Sequence, residues 1–134
     1  MTEVSPGNYA GIITKLSPRP VTDTVAQLTA MIAAKGIRLF AVIDQAAEAR
    51  QAGLELRDTT RVIFGNPGAG TPVMEAAPVA ALDLPLKILI WDDNGHTKVC
   101  YNAPAWLVGR YHLSAELTAN LTVIDPLTDA LTVQ

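Results

Sequence analysis

The stretch that decides the reading is Phe64-Gly65-Asn66-Pro67-Gly68-Ala69-Gly70-Thr71-Pro72-Val73-Met74-Glu75-Ala76-Ala77-Pro78, followed by Val79 to Leu84, Pro85 and Leu86. It reads as the end of a strand, a glycine-rich loop, a helix opened by Pro72 and a return to a buried strand. Glycine tolerates the tight backbone such a loop needs. Proline suits the first helical position, where an N–H would have no intrahelical partner.

The same stretch imitates a phosphate-binding loop, with Gly65, four residues and Gly70. Ile88-Leu89-Ile90-Trp91-Asp92 imitates the apolar strand that ends in a magnesium-binding aspartate. Thr71 stands where the lysine must be, and Pro72 where the metal-binding hydroxyl must be. An NTPase is excluded. Two readings of the loop stay open. Its glycines serve a strand-to-helix connection alone, or Gly65, Asn66, Gly68, Gly70 and Thr71 turn amides toward a small anion or polar ligand at the positive end of a helix.

Working outward, Tyr9 to Leu16 reads as a strand, with Gly11, Ile13 and Lys15 on one face and Ile12, Thr14 and Leu16 on the other. Ser17-Pro18-Arg19-Pro20 breaks it. Val21 to Lys35 is the clearest helix, with Val21, Val25, Leu28 and Ile32 as its apolar stripe, Thr22 as its N-cap and Gly36 as its stop. Ile37 to Ile43 is a strand, and Asp44 caps a short helix over Gln45 to Ala52. Thr59 to Phe64 is the strand that enters the loop. Leu86 to Trp91 is almost wholly apolar and reads as a central strand. Asn94-Gly95 is a hairpin signal that pairs Thr97 to Tyr101 with it. Asn102 caps a helix over Ala103 to His112, and Asp125-Pro126 opens a last one to about Leu131.

The order predicts an α+β domain, one curved and mainly antiparallel sheet with helices packed on one face. A β-α-β start followed by a hairpin predicts mixed pairing. Hydrophobic residues make up 49% of the 134, enough for one domain with a core over about residues 9–131 and a loose arm over 1–8. The net charge of −3 carries no run of like charges, so neither nucleic acid nor a membrane is expected as partner. Cys100 is the single cysteine, which rules out an internal disulfide and a cysteine-rich zinc site. No apolar run nears the ~20 residues of a membrane span. The N-terminus lacks a signal-peptide pattern, so a cytoplasmic location is expected.

Other chemistry-bearing residues have ordinary structural roles. Asp92, Asp93 and His96 are turn formers at a hairpin tip, and His112 ends a helix. Cys100 packs in an apolar strand. No metal and no cofactor is expected. Asp44, Arg61 and Asn102 are helix caps and a strand surface position, or they line one end of the sheet near the loop.

Three segments carry a family resemblance: Phe64 to Met74, Ala80-Ala81-Leu82-Asp83-Leu84-Pro85-Leu86, and Tyr101-Asn102-Ala103-Pro104-Ala105-Trp106-Leu107. With Leu39 to Asp44 and Gly53 to Arg57, the sequence resembles the bacterial domain-of-unknown-function family 302 over about residues 10–131. The resemblance implies a fold like that of the TATA-binding protein and no activity, since function does not follow from fold. Members resembling this chain often carry histidine after the aspartate of the Ile-Asp pair. Gln45 stands there, so a histidine ligand or base is not implied.

Two functions fit. One is a non-catalytic module, expected as a homodimer, that binds a small anionic or apolar ligand or a protein. Phe40, Val42, Val62, Phe64 and Trp91 would then form an apolar patch on the uncovered sheet face. The alternative is a small enzyme whose Gly65–Thr71 loop holds an anionic substrate, with Arg61 pairing its charge, Asp44 moving a proton and Asn102 nearby.

Overall fold

The computed structural model describes residues 9–134, so the arm expected over 1–8 lies outside the described residues. Five strands form one sheet: β1 (Ile12–Ser17), β2 (Arg38–Asp44), β3 (Thr59–Gly65), β4 (Leu86–Asp93) and β5 (His96–Asn102). Their order is β1-β5-β4-β3-β2, and every neighbouring pair is antiparallel. The expected mixed pairing is therefore wrong. The strands on either side of the first helix do run parallel, but they occupy opposite edges of the sheet and never meet. β4 is the central strand, as its apolar run implied.

The helices are α1 (Val21–Ala34), α2 (Gln45–Gln51), α3 (Pro67–Ala76), α4 (Pro104–Tyr111), α5 (Ala115–Thr118) and α6 (Ile124–Ala130). Short 3-10 turns cover Pro78–Leu82 and Ala119–Leu121. α1 buries Val21, Thr24, Leu28 and Ile32. Thr22 does not cap it. Thr24 does related work one turn in, where its hydroxyl meets Ser17 Oγ at 2.7 Å and donates to the Pro20 carbonyl at 2.9 Å. Gly36 ends α1 at φ +68°, a left-handed geometry that suits glycine.

β3 shows why the helices lie on one side. Thr60, Val62 and Phe64 are buried, while Thr59, Arg61 and Ile63 are half-exposed. The two-residue period of a strand sends Thr60, Val62 and Phe64 under the helices and leaves Arg61 and Ile63 on the other face. Val62 and Phe64 join Ile88, Ile90 and Val99 in one core with Leu28, Ile32, Leu127 and Leu131. The other face is left uncovered by the described residues even at the sheet centre, where Leu89 and Cys100 are half-exposed. The expected patch is corrected accordingly. Val62 and Phe64 lie inside, Val42 pairs with Val62 and shares its side, and Phe40 sits in a bulge between Leu39 and Ala41. Trp91 alone of the five belongs to the open face, together with Ile12, Leu16, Ile63 and Leu89.

α6 is fastened to the sheet by a polar cluster. Lys15 Nζ donates to Thr128 Oγ1 and pairs with Asp129 Oδ1, both at 2.7 Å, and Tyr101 donates to Asp125 Oδ1 at 2.7 Å. Burial alone would lower the Lys15 pKa, but its bonds toward Asp129 and Tyr101 outweigh this and hold it above the usual lysine value. Burial, and then the bond to Asp125, push the Tyr101 hydroxyl up.

Candidate functional site

At the end of β3 the glycine stretch is helix rather than open loop. Asn66 is the N-cap, and its Oδ1 accepts from the Gly68 amide at 2.9 Å. The amides of Ala69 and Gly70 both reach the Asn66 carbonyl at 2.9 Å. The helix opens at Pro67, and Pro72 lies inside it, which corrects the expected start. The reason is local. Asn66 is a strong capping residue and Pro67 fixes φ at the first position, so the helix nucleates before the glycines. The consequence is chemical. Gly68, Ala69 and Gly70 have spent their amides within the turn and Pro67 has none, so the stretch does not present a cradle of free donors to an anion.

What it does present is a wall. Beside it lies a pocket of about 540 Å³. Its apolar lining includes Ile37, Phe40, Met74, Leu84, Leu86 and Val123, and Gly65, Asn66, Gly70 and Thr71 complete one side. Asn120 closes another side, donating through Nδ2 to the Ala69 carbonyl at 3.1 Å. Asn66, Thr71 and Asn120 are the polar side chains of its lining. None of the described residues that line it titrates near neutrality. Size and lining are those of a site for a small, mainly apolar molecule held in orientation by a few hydrogen bonds.

The other sequence candidates do not converge there. Asp44 lies at the opposite end of β3's neighbour, paired with Thr60, and its Oδ1 caps α2 by accepting from Ala47 N at 2.9 Å. It lines a separate cleft of about 140 Å³. Arg61 pairs across with Leu89 on the uncovered face. Asn102 ends β5 and does not cap α4, whose N-cap is Ala103. Of the eight candidates, Gly65, Asn66, Gly70 and Thr71 line the pocket, Gly68 sits in the same turn, and Asp44, Arg61 and Asn102 stand apart.

At the hairpin tip Asp92 Oδ1 accepts from Gly95 N at 3.1 Å and Asp93 pairs with Lys98 at 2.6 Å, as turn and strand chemistry require. No group of three metal-donor side chains occurs among the described residues. His112 ends α4 at φ +54°. Cys100 is half-exposed on the open face rather than buried, between Thr14 Oγ1 and Trp91 Nε1 at 3.4 Å each. A groove of about 570 Å³ runs past Arg19 and His96, and Arg19 is engaged there with the Val133 carbonyl at 2.9 Å.

Sequence reasoning missed Asn120, Met74 and the pocket-lining role of Phe40. No local signal marks them. The pocket is assembled from four separated segments, and a lone Asn in a C-terminal turn looks like any surface amide.

Comparison with known proteins adds the following. The chain is similar to a protein named fluoride-specific ion channel FluC 1 from Brucella suis biovar 1, 37% identical over 105 residues that cover 78% of this chain and 41% of that protein. A protein of the same name from Brucella abortus biovar 1 is 37% identical over 105 residues, 39% of its length. The chain thus spans about two fifths of these relatives. No helix among the described residues is long and apolar enough to cross a membrane. The crystal structure of an uncharacterized conserved protein DUF302 from Bacillus stearothermophilus superimposes with a TM-score of 0.75, covering 92% of this chain and 97% of that one at 18% identity, which is a likeness of fold. A family model matches residues 13–131, and by that match the chain belongs to the family described as domain of unknown function DUF302.

Proposed function

We propose that this domain is a non-catalytic binding module whose ligand is a small, mainly apolar molecule seated between the start of α3 and the Ala119–Leu121 turn. The observation that carries the reading is the 540 Å³ pocket with apolar walls and three polar fixtures. Acid–base catalysis needs a titratable group within reach of the substrate, and the described lining offers none. The relatives named fluoride-specific ion channels contain this domain as a minor part, which agrees with a module attached to other machinery. Fluoride conduction is said of those proteins and is not carried to this chain.

The test uses a variant that fills the pocket without disturbing the fold. A Cβ at Gly70 would meet only Met74 Cε, at 3.9 Å, and Gly70 lines the pocket, so Gly70→Leu is the variant chosen to fill it. An apolar fluorescent probe such as N-phenylnaphthylamine should bind wild type saturably and fail to bind Gly70→Leu. A probe at a hundredfold its Kd should stabilise wild type by about 2.7 kcal/mol. No saturable binding, or equal binding by the two proteins, would sink the reading.

A second reading concerns the partner. We propose a homodimer formed through the open sheet face. Leu16 is 57% and Ile12 41% exposed there, and Ile63, Leu89 and Trp91 lie on the same face among Arg61, Lys87 and Lys98, with no cover from other described residues. Light scattering should give twice the chain mass for wild type and the chain mass for Leu89→Lys. A monomeric wild type would end this reading.

A further inference from the structure

A charge stands beside two of the pocket's lining residues, though not in the lining itself, and it narrows the class of ligand more than the walls do. Arg38 opens β2. Its neighbour Ile37 lines the pocket, its register partner Gly65 lines the pocket, and its guanidinium carbon stands 4.8 Å from the centre of the Phe40 ring, which also lines the pocket. A Cβ at Gly65 would lie 3.8 Å from Phe40 Cε2, so the ring packs close to the Arg38–Gly65 pair. Stacking on the ring holds the guanidinium in place without neutralising it. Arg38 takes part in none of the ion pairs formed by the described residues. Stacked on a lining ring, Arg38 is thus an exposed cation with no ion-pair partner among the described residues, next to a lining without charged side chains.

We propose that the pocket takes an amphiphile with one anionic head, its apolar body inside and its head against Arg38. The proposal rests on the pocket being a ligand site. A neutral apolar molecule would leave the guanidinium unused. A cationic amphiphile would be repelled by it. A head placed deeper would be a charge with no partner, because the amides at the start of α3 are already bonded. Arginine is suited to the role because its planar fork binds a carboxylate through two parallel hydrogen bonds.

The experiment compares three probes of equal chain length, each below its micelle concentration. Dodecanoate, dodecanol and dodecyltrimethylammonium are titrated into the full chain by calorimetry and by displacement of the fluorescent probe. Dodecanoate should bind about tenfold more tightly than dodecanol, the gain of one good charged pair, and the ammonium compound more weakly than either. Arg38→Gln should bring dodecanoate to the affinity of dodecanol and leave dodecanol unchanged, with an unaltered melting temperature. If dodecanol binds as well as dodecanoate, or if Arg38→Gln keeps the carboxylate preference, the anionic head is refuted while the pocket stands. If none of the three displaces the probe, the pocket itself is refuted.

Discussion

The side chain of Asn120 donates to the carbonyl of Ala69 at 3.1 Å, joining the Ala119–Leu121 turn to the first turn of α3 and setting the width of the pocket between them. Ala69 has its amide committed to Asn66 and its carbonyl to Asn120, so this corner is held from both sides. Asn120→Ala should lower Tm by about 3 °C, the loss of one part-buried hydrogen bond worth about 1 kcal/mol. Asn120→Asp places an acceptor against an acceptor and should lower Tm further. Equal melting curves for the three proteins would show that the bond has no weight in solution.

Ile88 and Leu89 are neighbours in the central strand and point to opposite faces. Ile88 is fully buried under the helices. Ile88→Ala should cost about 3 kcal/mol in urea denaturation, the usual toll of a cavity in a close-packed core. Leu89→Ala, on the uncovered face, should cost the monomer about 1 kcal/mol. Reversal of that order would mean that the face assignment is wrong.

Gly11 sits at φ +79° with the indole of Trp106 lying where a side chain would go. Gly11→Ala should therefore be strongly destabilising, by about 3 kcal/mol, from a clash added to left-handed strain. Gly36 has φ +68° but open space around it, so Gly36→Ala reports the strain alone, about 1 kcal/mol. The difference between the two melting temperatures measures the contact with Trp106.

The Lys15–Tyr101 cluster predicts an alkaline limit. Both groups hold their protons more tightly in the folded chain than in the unfolded one. Stability is then fully present below the unfolded values, about 10 for tyrosine and about 10.4 for lysine, and is lost as pH rises through the folded ones. Tyr111, through its bond to Asp83, shifts in the same direction. Denaturation from neutral pH to about pH 11 should show wild type weakening above pH 10, and Tyr101→Phe should lose less over that window. Parallel curves would remove Tyr101 from the account.

Much of this was legible from residue order. The α1 stripe, the Asn94-Gly95 hairpin, the Asp44 cap and the central place of β4 all follow from patterns a few residues long. The helices on one face were expected from the order of the elements, and the two-residue period of β3 decides which of its residues meet them. What was not legible was non-local or competitive. The sequence offered two prolines for one helix start, and only the capping geometry of Asn66 decides for Pro67 over Pro72. Strand direction depended on which slot α1 delivers the chain to, which no spacing encodes. The pocket draws on residues from Ile37 to Val123, and its polar fixture Asn120 carries no mark of that use.

The placement of β1 and β2 at opposite edges bears on how the chain acquires its shape. Ile12 pairs with Asn102, so the first of the five described strands finds its neighbour only when the fifth is made. On the ribosome it must wait, unpaired, while β2, β3 and β4 assemble, and its exposed apolar side chains are open to misassociation during that interval. The same geometry makes β1 separable. A chain beginning after Pro18 should form a four-stranded remnant with a vacant edge along β5, able to accept the missing strand as a synthetic peptide.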